Sequence, residues 1–138
     1  MRLEGHVKHI LATDMSPNGV FASTGSADNT VRLWDLRQHG KELYTIPAHS
    51  SLITTCSFER TYGRYLLTSS FDSSAKIWST VSMDMVAELA GHEGKVMEAD
   101  SFSGTGGGTG QNDVVVTVSY DRTVKLWAPQ SMSDDAIQ

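Results

Sequence analysis

Apolar residues in this chain come in short alternating runs separated by turn-forming residues, and no segment of helical length carries a 3.6-residue pattern. Residues 9–16 read as a strand that ends in the turn Ser16-Pro17-Asn18-Gly19, and residues 20–26 as a second strand. Ala27-Asp28-Asn29 predicts a tight turn, because Asp and Asn tolerate turn backbone and bond to nearby N–H groups. Residues 30–36 follow as a third strand, with Val31 and Leu33 alternating against Arg32 and Trp34, and residues 43–47 as a fourth, outer one. The order recurs through 53–59, 65–70, 74–79 and 85–90, and again through 96–103, 114–119 and 123–127. No fourth strand is evident in the third copy. The pattern predicts an all-β chain.

The three copies keep register at their polar residues. His6, His49 and His92 are 43 and 43 residues apart, and Trp34, Trp78 and Trp127 are 44 and 49 apart. Asp28, Asp72 and Asp121 each precede the Trp by six. Thr24, Thr68 and Thr117 stand four before the Asp, and Ser26, Ser70 and Ser119 two before it. A period of about 40–45 residues is that of a four-stranded propeller blade. Gly5-His6 with Ser26-Ala27-Asp28-Asn29-Thr30-Val31-Arg32-Leu33-Trp34-Asp35 closely resembles the WD40 repeat, over nearly all of residues 3–128. The copies span about 5–47, 48–90 and 91–128, and 129–138 is a polar tail. Only the first ends in Trp-Asp; the others end Trp-Ser and Trp-Ala.

A His, a hydroxyl residue and an Asp suggest a hydrolase triad, but a triad serves one site, and this set occurs three times at matched positions. The resemblance implies a structural relay instead. Asp accepts from His, His reaches Thr, and Thr reaches the Trp indole N–H. Such a network satisfies polar groups inside each blade. The set expected to carry it is His6, Thr24, Asp28, Trp34, His49, Thr68, Asp72, Trp78, His92, Thr117, Asp121 and Trp127.

Composition narrows the partners. Eleven basic against sixteen acidic residues give a formal charge of −5, which disfavours non-specific gripping of nucleic acid or an anionic membrane. The longest apolar runs, such as Val114-Val115-Val116, are too short for a membrane span. The single Cys56 permits no internal disulfide, fits a reducing compartment, and reads as a small core residue. His9 and His39 lie outside the repeated set and without clustered carboxylates, so no metal site is expected. The Gly-rich stretch 103–110 lacks the Lys of a phosphate loop and precedes a strand; it predicts a flexible hairpin loop. No cofactor is expected and no catalysis.

Closed propellers hold about 4–8 blades, so three leave two apolar faces open. Either further blades precede this chain, or two copies associate to make six. The chain enters a repeat at once at Gly5-His6, and residues 1–4 look like the end of another blade's fourth strand. Both suggest an incomplete chain whose C-terminus is natural.

Copy two, with Ala48-His49-Ser50-Ser51-Leu52-Ile53 and Tyr65-Leu66-Leu67-Thr68-Ser69-Ser70-Phe71-Asp72, looks like the C-terminal blades of the WD40 subunit of the U4/U6 small nuclear ribonucleoprotein, a pre-mRNA splicing factor. So does copy three, with Gly91-His92-Glu93-Gly94-Lys95-Val96 and Ser119-Tyr120-Asp121-Arg122-Thr123. The Gly-rich insertion and the 38–42 connection fit that family less well. The resemblance implies a nuclear scaffold of spliceosome assembly that binds a companion U4/U6 splicing factor and, through it, a cyclophilin, with RNA contact indirect. A different WD40 adaptor, a chromatin reader or a ubiquitin-ligase substrate receptor working in nucleus or cytoplasm, is the alternative. The expected partner-binding residues lie in the loops near each His and Asp: Lys8, His9, Phe71, Lys95, Tyr120 and Arg122.

Overall fold

The computed structural model describes residues 1–103 and 113–128. The Gly-rich stretch from 104 onward and the tail 129–138 lie outside the described residues. Eleven strands form three antiparallel sheets. The first holds β1 (Ile10–Met15), β2 (Phe21–Ser26), β3 (Val31–Asp35) and β4 (Lys41–Ile46), side by side in chain order. The second holds β5 (Ile53–Phe58), β6 (Tyr65–Ser70), β7 (Ser74–Ser79) and β8 (Met85–Ala90) in the same order. The third holds β9 (Val96–Ser103), β10 (Asp113–Ser119) and β11 (Val124–Trp127), three strands among the described residues rather than four.

Several strand ends differ from the sequence pattern, for local reasons. β3 stops at Asp35 because that carboxylate caps a 3-10 turn at Leu36–Gln38, accepting the Arg37 N–H at 2.9 Å. The chain reverses through His39 and Gly40, both with positive φ, and Asp35 then pairs directly with Lys41. The fourth strand therefore starts at Lys41, two residues earlier than its apolar pattern suggests. β1 and β5 are also shorter than expected. Just past β5, the Glu59 carboxylate takes the N–H groups of Thr61 and Tyr62 at 2.6 and 2.9 Å and turns the chain. Residues 1–9 form no strand, although Leu3 lies against Gly40.

Register is irregular at one repeated place. β1 against β2 slips between Ile10 and Ala12, and β5 against β6 slips between Ile53 and Thr55. β9 and β10 slip likewise at Val96. Each innermost strand thus carries a bulge at its start, which re-aims the side chains that follow.

The sheets stack face to face. Val31, Leu33 and Ile46 of sheet one, with Ala48 from the β4–β5 connection, bury against Ile53, Cys56, Phe58, Leu66 and Trp78 of sheet two. Leu67, Ala75 and Leu89 of sheet two bury against Ala99, Val115 and Trp127 of sheet three. Complete burial of one such aliphatic side chain contributes about 1.5–3 kcal/mol, so the inter-sheet cores supply most of the cohesion. Approach is close at Gly25, where an added Cβ would lie 2.5 Å from Ile53 Cγ2. Polar bonds cross the same seams. Phe58 N–H donates to Asp14 Oδ2 at 2.8 Å, Ala99 N–H to Thr55 Oγ1 at 3.2 Å, and the Thr54 hydroxyl to the Val96 carbonyl at 2.9 Å. Among the described residues no helix is long and apolar enough to cross a membrane.

Candidate functional site

The His, Thr, Asp and Trp side chains of each copy meet in one chain of bonds. In blade one, His6 Nδ1 lies 2.9 Å from Asp28 Oδ2, His6 Nε2 lies 2.8 Å from Thr24 Oγ1, and Trp34 Nε1 donates to that hydroxyl at 2.9 Å. In blade two the three distances are 2.8, 2.8 and 3.0 Å through His49, Asp72, Thr68 and Trp78. In blade three they are 2.9, 2.7 and 2.9 Å through His92, Asp121, Thr117 and Trp127.

Proton bookkeeping fixes the donors. An ionised Asp only accepts, so the proton sits on Nδ1 and is donated to it. In the neutral ring Nε2 accepts from the Thr hydroxyl, and the Thr oxygen accepts from the indole. Each Thr is thereby bonded through both its hydrogen and its oxygen, and Thr24, Thr68 and Thr117 are buried. As a nucleophile such a hydroxyl is poorly placed: its base already holds it in a closed chain away from solvent. Three such chains clip the loop that enters each blade onto strands two and three of that blade.

Two further groups of residues, unremarked in the sequence pattern, complete the relay. Thr30, Ser74 and Thr123, two after each Asp, donate both backbone N–H and hydroxyl to its Oδ1. The backbone N–H after each relay His, in Val7, Ser50 and Glu93, donates to Oδ2. A hydroxyl at the second position after each Asp was the available signal. Ser26, Ser70 and Ser119 brace the turn from the other side, each accepting the Asp N–H at 3.1 Å.

These bonds set the charges. Burial alone would raise Asp28 and Asp72, but donated bonds from Thr30 and His6, and from Ser74 and His49, outweigh it and hold both below the usual carboxylate range. The Thr123 hydroxyl does most to lower Asp121. Burial lowers His49 below its ordinary value, against the pull of Asp72, so the neutral ring is favoured. Cys56, buried between the first two sheets, has its thiol pushed up to about 12, chiefly by burial.

Of the six expected partner-binding residues, the structure brings three together. Phe71 and Tyr120 follow the second strands of blades two and three, and their ring centres are 6.3 Å apart. Lys95 Nζ sits over both, 4.7 Å from the Phe71 centre and 5.9 Å from the Tyr120 centre. Tyr120 N–H bonds the Lys95 carbonyl at 2.9 Å, which ties the turn to the entering loop. Tyr120 is 63% exposed, while Phe71 is half-buried. The result is a small patch of two rings and an ammonium that joins blades two and three. Lys8 and His9 are exposed in blade one and, with His6, Val7 and Ala27, line an open depression there. Ala27 holds the place of the two aromatic residues, so blade one offers no ring. Arg122 is exposed in the β10–β11 turn at φ 69°, where the other blades carry Asn29 at 72° and Ser73 at 75°. Left-handed backbone costs an Arg more than an Asn.

Among the described residues no group of three or more His, Cys, Asp or Glu is arranged to hold a metal ion.

Comparison with known proteins agrees with this geometry. The family model WD domain, G-beta repeat (WD40) matches residues 1–35, 40–79 and 83–128. The chain is 28% identical over 99% of its length to Small ribosomal subunit protein RACK1y of Oryza sativa subsp. japonica, and covers 39% of that protein. It is 39% identical over 53% of its length to the U4/U6 small nuclear ribonucleoprotein PRP4-like protein of Arabidopsis thaliana, covering 12% of it. It is 35% identical over 91% of its length to Protein tipD of Dictyostelium discoideum, covering 19% of it. The chain therefore spans well under half the length of each of these relatives. With three blades bonded by the repeated His-Thr-Asp-Trp relay and a family match across nearly all of 1–128, the chain belongs to the WD40 repeat family.

Proposed function

We propose that this protein is a non-catalytic interaction scaffold that docks a protein partner on the patch formed by Phe71, Lys95 and Tyr120. The patch itself is the observation that carries the reading. Two rings and a cation gathered from two blades have no task in holding either blade's core, and exposed aromatic and cationic side chains are typical binding anchors. Arg122 follows Tyr120 in the same turn, Lys8 and His9 lie in the corresponding loop of blade one, and all three would enlarge the footprint. Substituting Phe71→Ala with Tyr120→Ala is expected to abolish partner capture while leaving the melting transition in place. Unchanged capture by that variant would refute the site.

The biological setting we infer is the U4/U6 small nuclear ribonucleoprotein, with action in spliceosome assembly and pre-mRNA splicing in the nucleus. The 39% identity over 53% of the chain to the PRP4-like protein supports it. In that setting the partners would be a companion U4/U6 splicing factor and a cyclophilin, with RNA held indirectly, as the net charge of −5 favours. A second reading, attachment to the small ribosomal subunit in the cytoplasm, is favoured by the RACK1y match, which runs over 99% of the chain. Affinity capture from nuclear and cytoplasmic extracts, with the co-purifying RNA sequenced, separates the two. Enrichment of U4 and U6 RNA supports the first, and small-subunit ribosomal RNA the second.

A further inference from the structure

Blade two has a blade packed on each of its faces, so its loops are seen in the company of both neighbours. The loop between β5 and β6 lies at the Tyr65 end of β6, whereas Phe71 follows the other end. Exposed cations and a ring alternate along it as Arg60, Tyr62 and Arg64. Tyr62 is 73% exposed, and the Arg64 guanidinium stands 5.0 Å from the centre of its ring. Among the described residues Arg64 is in no ion pair. Arg60 reaches Asp100 at 3.8 Å, with both side chains largely in water. An exposed pair of that kind is weak and readily exchanged for another.

The loop is held from three sides. The carboxylate of buried Glu59 accepts the N–H groups of Thr61, Tyr62 and Arg64. Gly63 turns at φ 65° against Pro17, where a Cβ would meet the ring at 3.0 Å. The Thr80 hydroxyl donates to the Gly63 carbonyl at 2.7 Å and the Thr80 N–H to the Arg64 carbonyl at 3.0 Å, which brings the β7–β8 turn alongside. Val81, next in that turn, is 86% exposed. The blade itself needs none of the exposed side chains: the matching turn of blade one, Ser16-Pro17-Asn18-Gly19, closes with neither ring nor cation.

We propose that this loop is a second docking surface, for an acidic segment of a protein partner that presents carboxylates to Arg60 and Arg64 and an apolar side chain to Tyr62 and Val81. A guanidinium stacked on a ring keeps its edge N–H groups free, and they match a carboxylate in pairs. Tyr and Arg are the residue types that dominate binding energy at interfaces, and a loop already fixed leaves little ordering cost to the encounter. Exposed Asp84 in the β7–β8 turn and Asp100 beside Arg60 argue against a nucleic acid strand, whose phosphates would meet them, and single carboxylates on a peptide avoid both. The inference does not rest on the Phe71 patch. With both surfaces in use, blade two holds one partner at each end of β6.

Amide chemical shifts of the isotope-labelled chain, which register even weak binding, test it. The probes are a short synthetic peptide of Asp with interspersed Tyr, the same peptide with Asn for Asp, and a single-stranded oligouridylate. The acidic peptide is expected to move the amides of Thr61, Tyr62, Arg64 and Val81, and the other two probes to leave them in place. Arg60→Ala with Arg64→Ala, both at exposed side chains, should weaken the acidic peptide by about tenfold or more at an unchanged melting temperature. Phe71→Ala with Tyr120→Ala should leave this binding intact, which separates it from the first docking surface. Amides that ignore the acidic peptide, equal shifts with the Asn peptide, or binding indifferent to the double Arg variant would each overturn the proposal. Preference for the oligouridylate would overturn it too, and would mark the loop as a nucleic acid site.

Discussion

Asp14 of blade one accepts the backbone N–H of Phe58 in blade two at 2.8 Å, so adjacent blades are bonded as well as packed. The bond crosses 44 residues of chain and closes the edge of an innermost strand. Asp14→Ala leaves that N–H without its acceptor, and the expected loss is about 1–3 kcal/mol. The urea midpoint of the variant should fall by the corresponding amount, with the slope unchanged. An unshifted midpoint would mean that water replaces the carboxylate at no cost.

Breaking the relay should unfold a blade rather than silence a reaction. Asp72→Ala removes the acceptor of the His49 ring, of the Ser50 and Ser74 N–H groups and of the Ser74 hydroxyl. Thr68→Val orphans the Trp78 indole and His49 Nε2, at about 1–3 kcal/mol for each buried group left unpaired. Both variants should melt well below the parent. A variant that melts normally yet loses an activity on some substrate would contradict the structural role of the set.

Acid should weaken the fold in two stages. His49 is lowered in the folded chain from its ordinary 6.5, chiefly by burial, so the unfolded chain binds the extra proton first. Its contribution is full above about pH 6.5 and is lost as pH falls through the folded value. The lowered carboxylates of Asp28, Asp72 and Asp121 contribute fully above their ordinary 3.8 and fade below it. Thermal melts from pH 8 to pH 3 should therefore decline first below about 6.5 and more steeply below about 4. His49→Gln should remove the first decline. A melt that is flat from pH 7 to 5 in the parent would refute the assignment to His49.

Gly25 sets the distance between the first two sheets. An added Cβ would sit 2.5 Å from Ile53 Cγ2 and 3.0 Å from Ile53 Cβ. Gly25→Ala is expected to destabilise by about 1–3 kcal/mol through overpacking. Combining it with Ile53→Leu, which carries no Cγ2 methyl, should recover part of the loss. Equal melting of single and double variants would count against a shared contact.

Cys56 offers a probe of seam opening. Buried, with its thiol pushed up to about 12, it should resist a thiol reagent in the native state and react on unfolding in urea. Rapid labelling of the native chain at pH 7 would show that the first seam opens readily.

The blade architecture was legible in the sequence because His6, Thr24, Asp28 and Trp34 recur in register, and the bonds among them follow that register. Strand interiors were legible from alternation. Strand ends were not: the carboxylates of Asp35 and Glu59 cap local turns just where β3 and β5 end, which alternation does not encode. Asp14 gave no signal either, since its counterparts are Ser57 and Asp100 and its bond is to another blade's backbone. The meeting of Phe71, Lys95 and Tyr120 depends on two blades standing side by side, and their separate loops show it only once stacked.

Within each sheet the strands lie in chain order, and each relay His stands only 22, 23 or 29 residues before its Asp. Synthesis on a ribosome proceeds from the N-terminus, and short loops close quickly. Blade one would have all its own bonding partners before blade two exists, and its clip through His6 and Asp28 could shut at once. Each finished blade would then offer a formed surface on which the next is laid down, so that the nascent chain is assembled in the same direction as it is read.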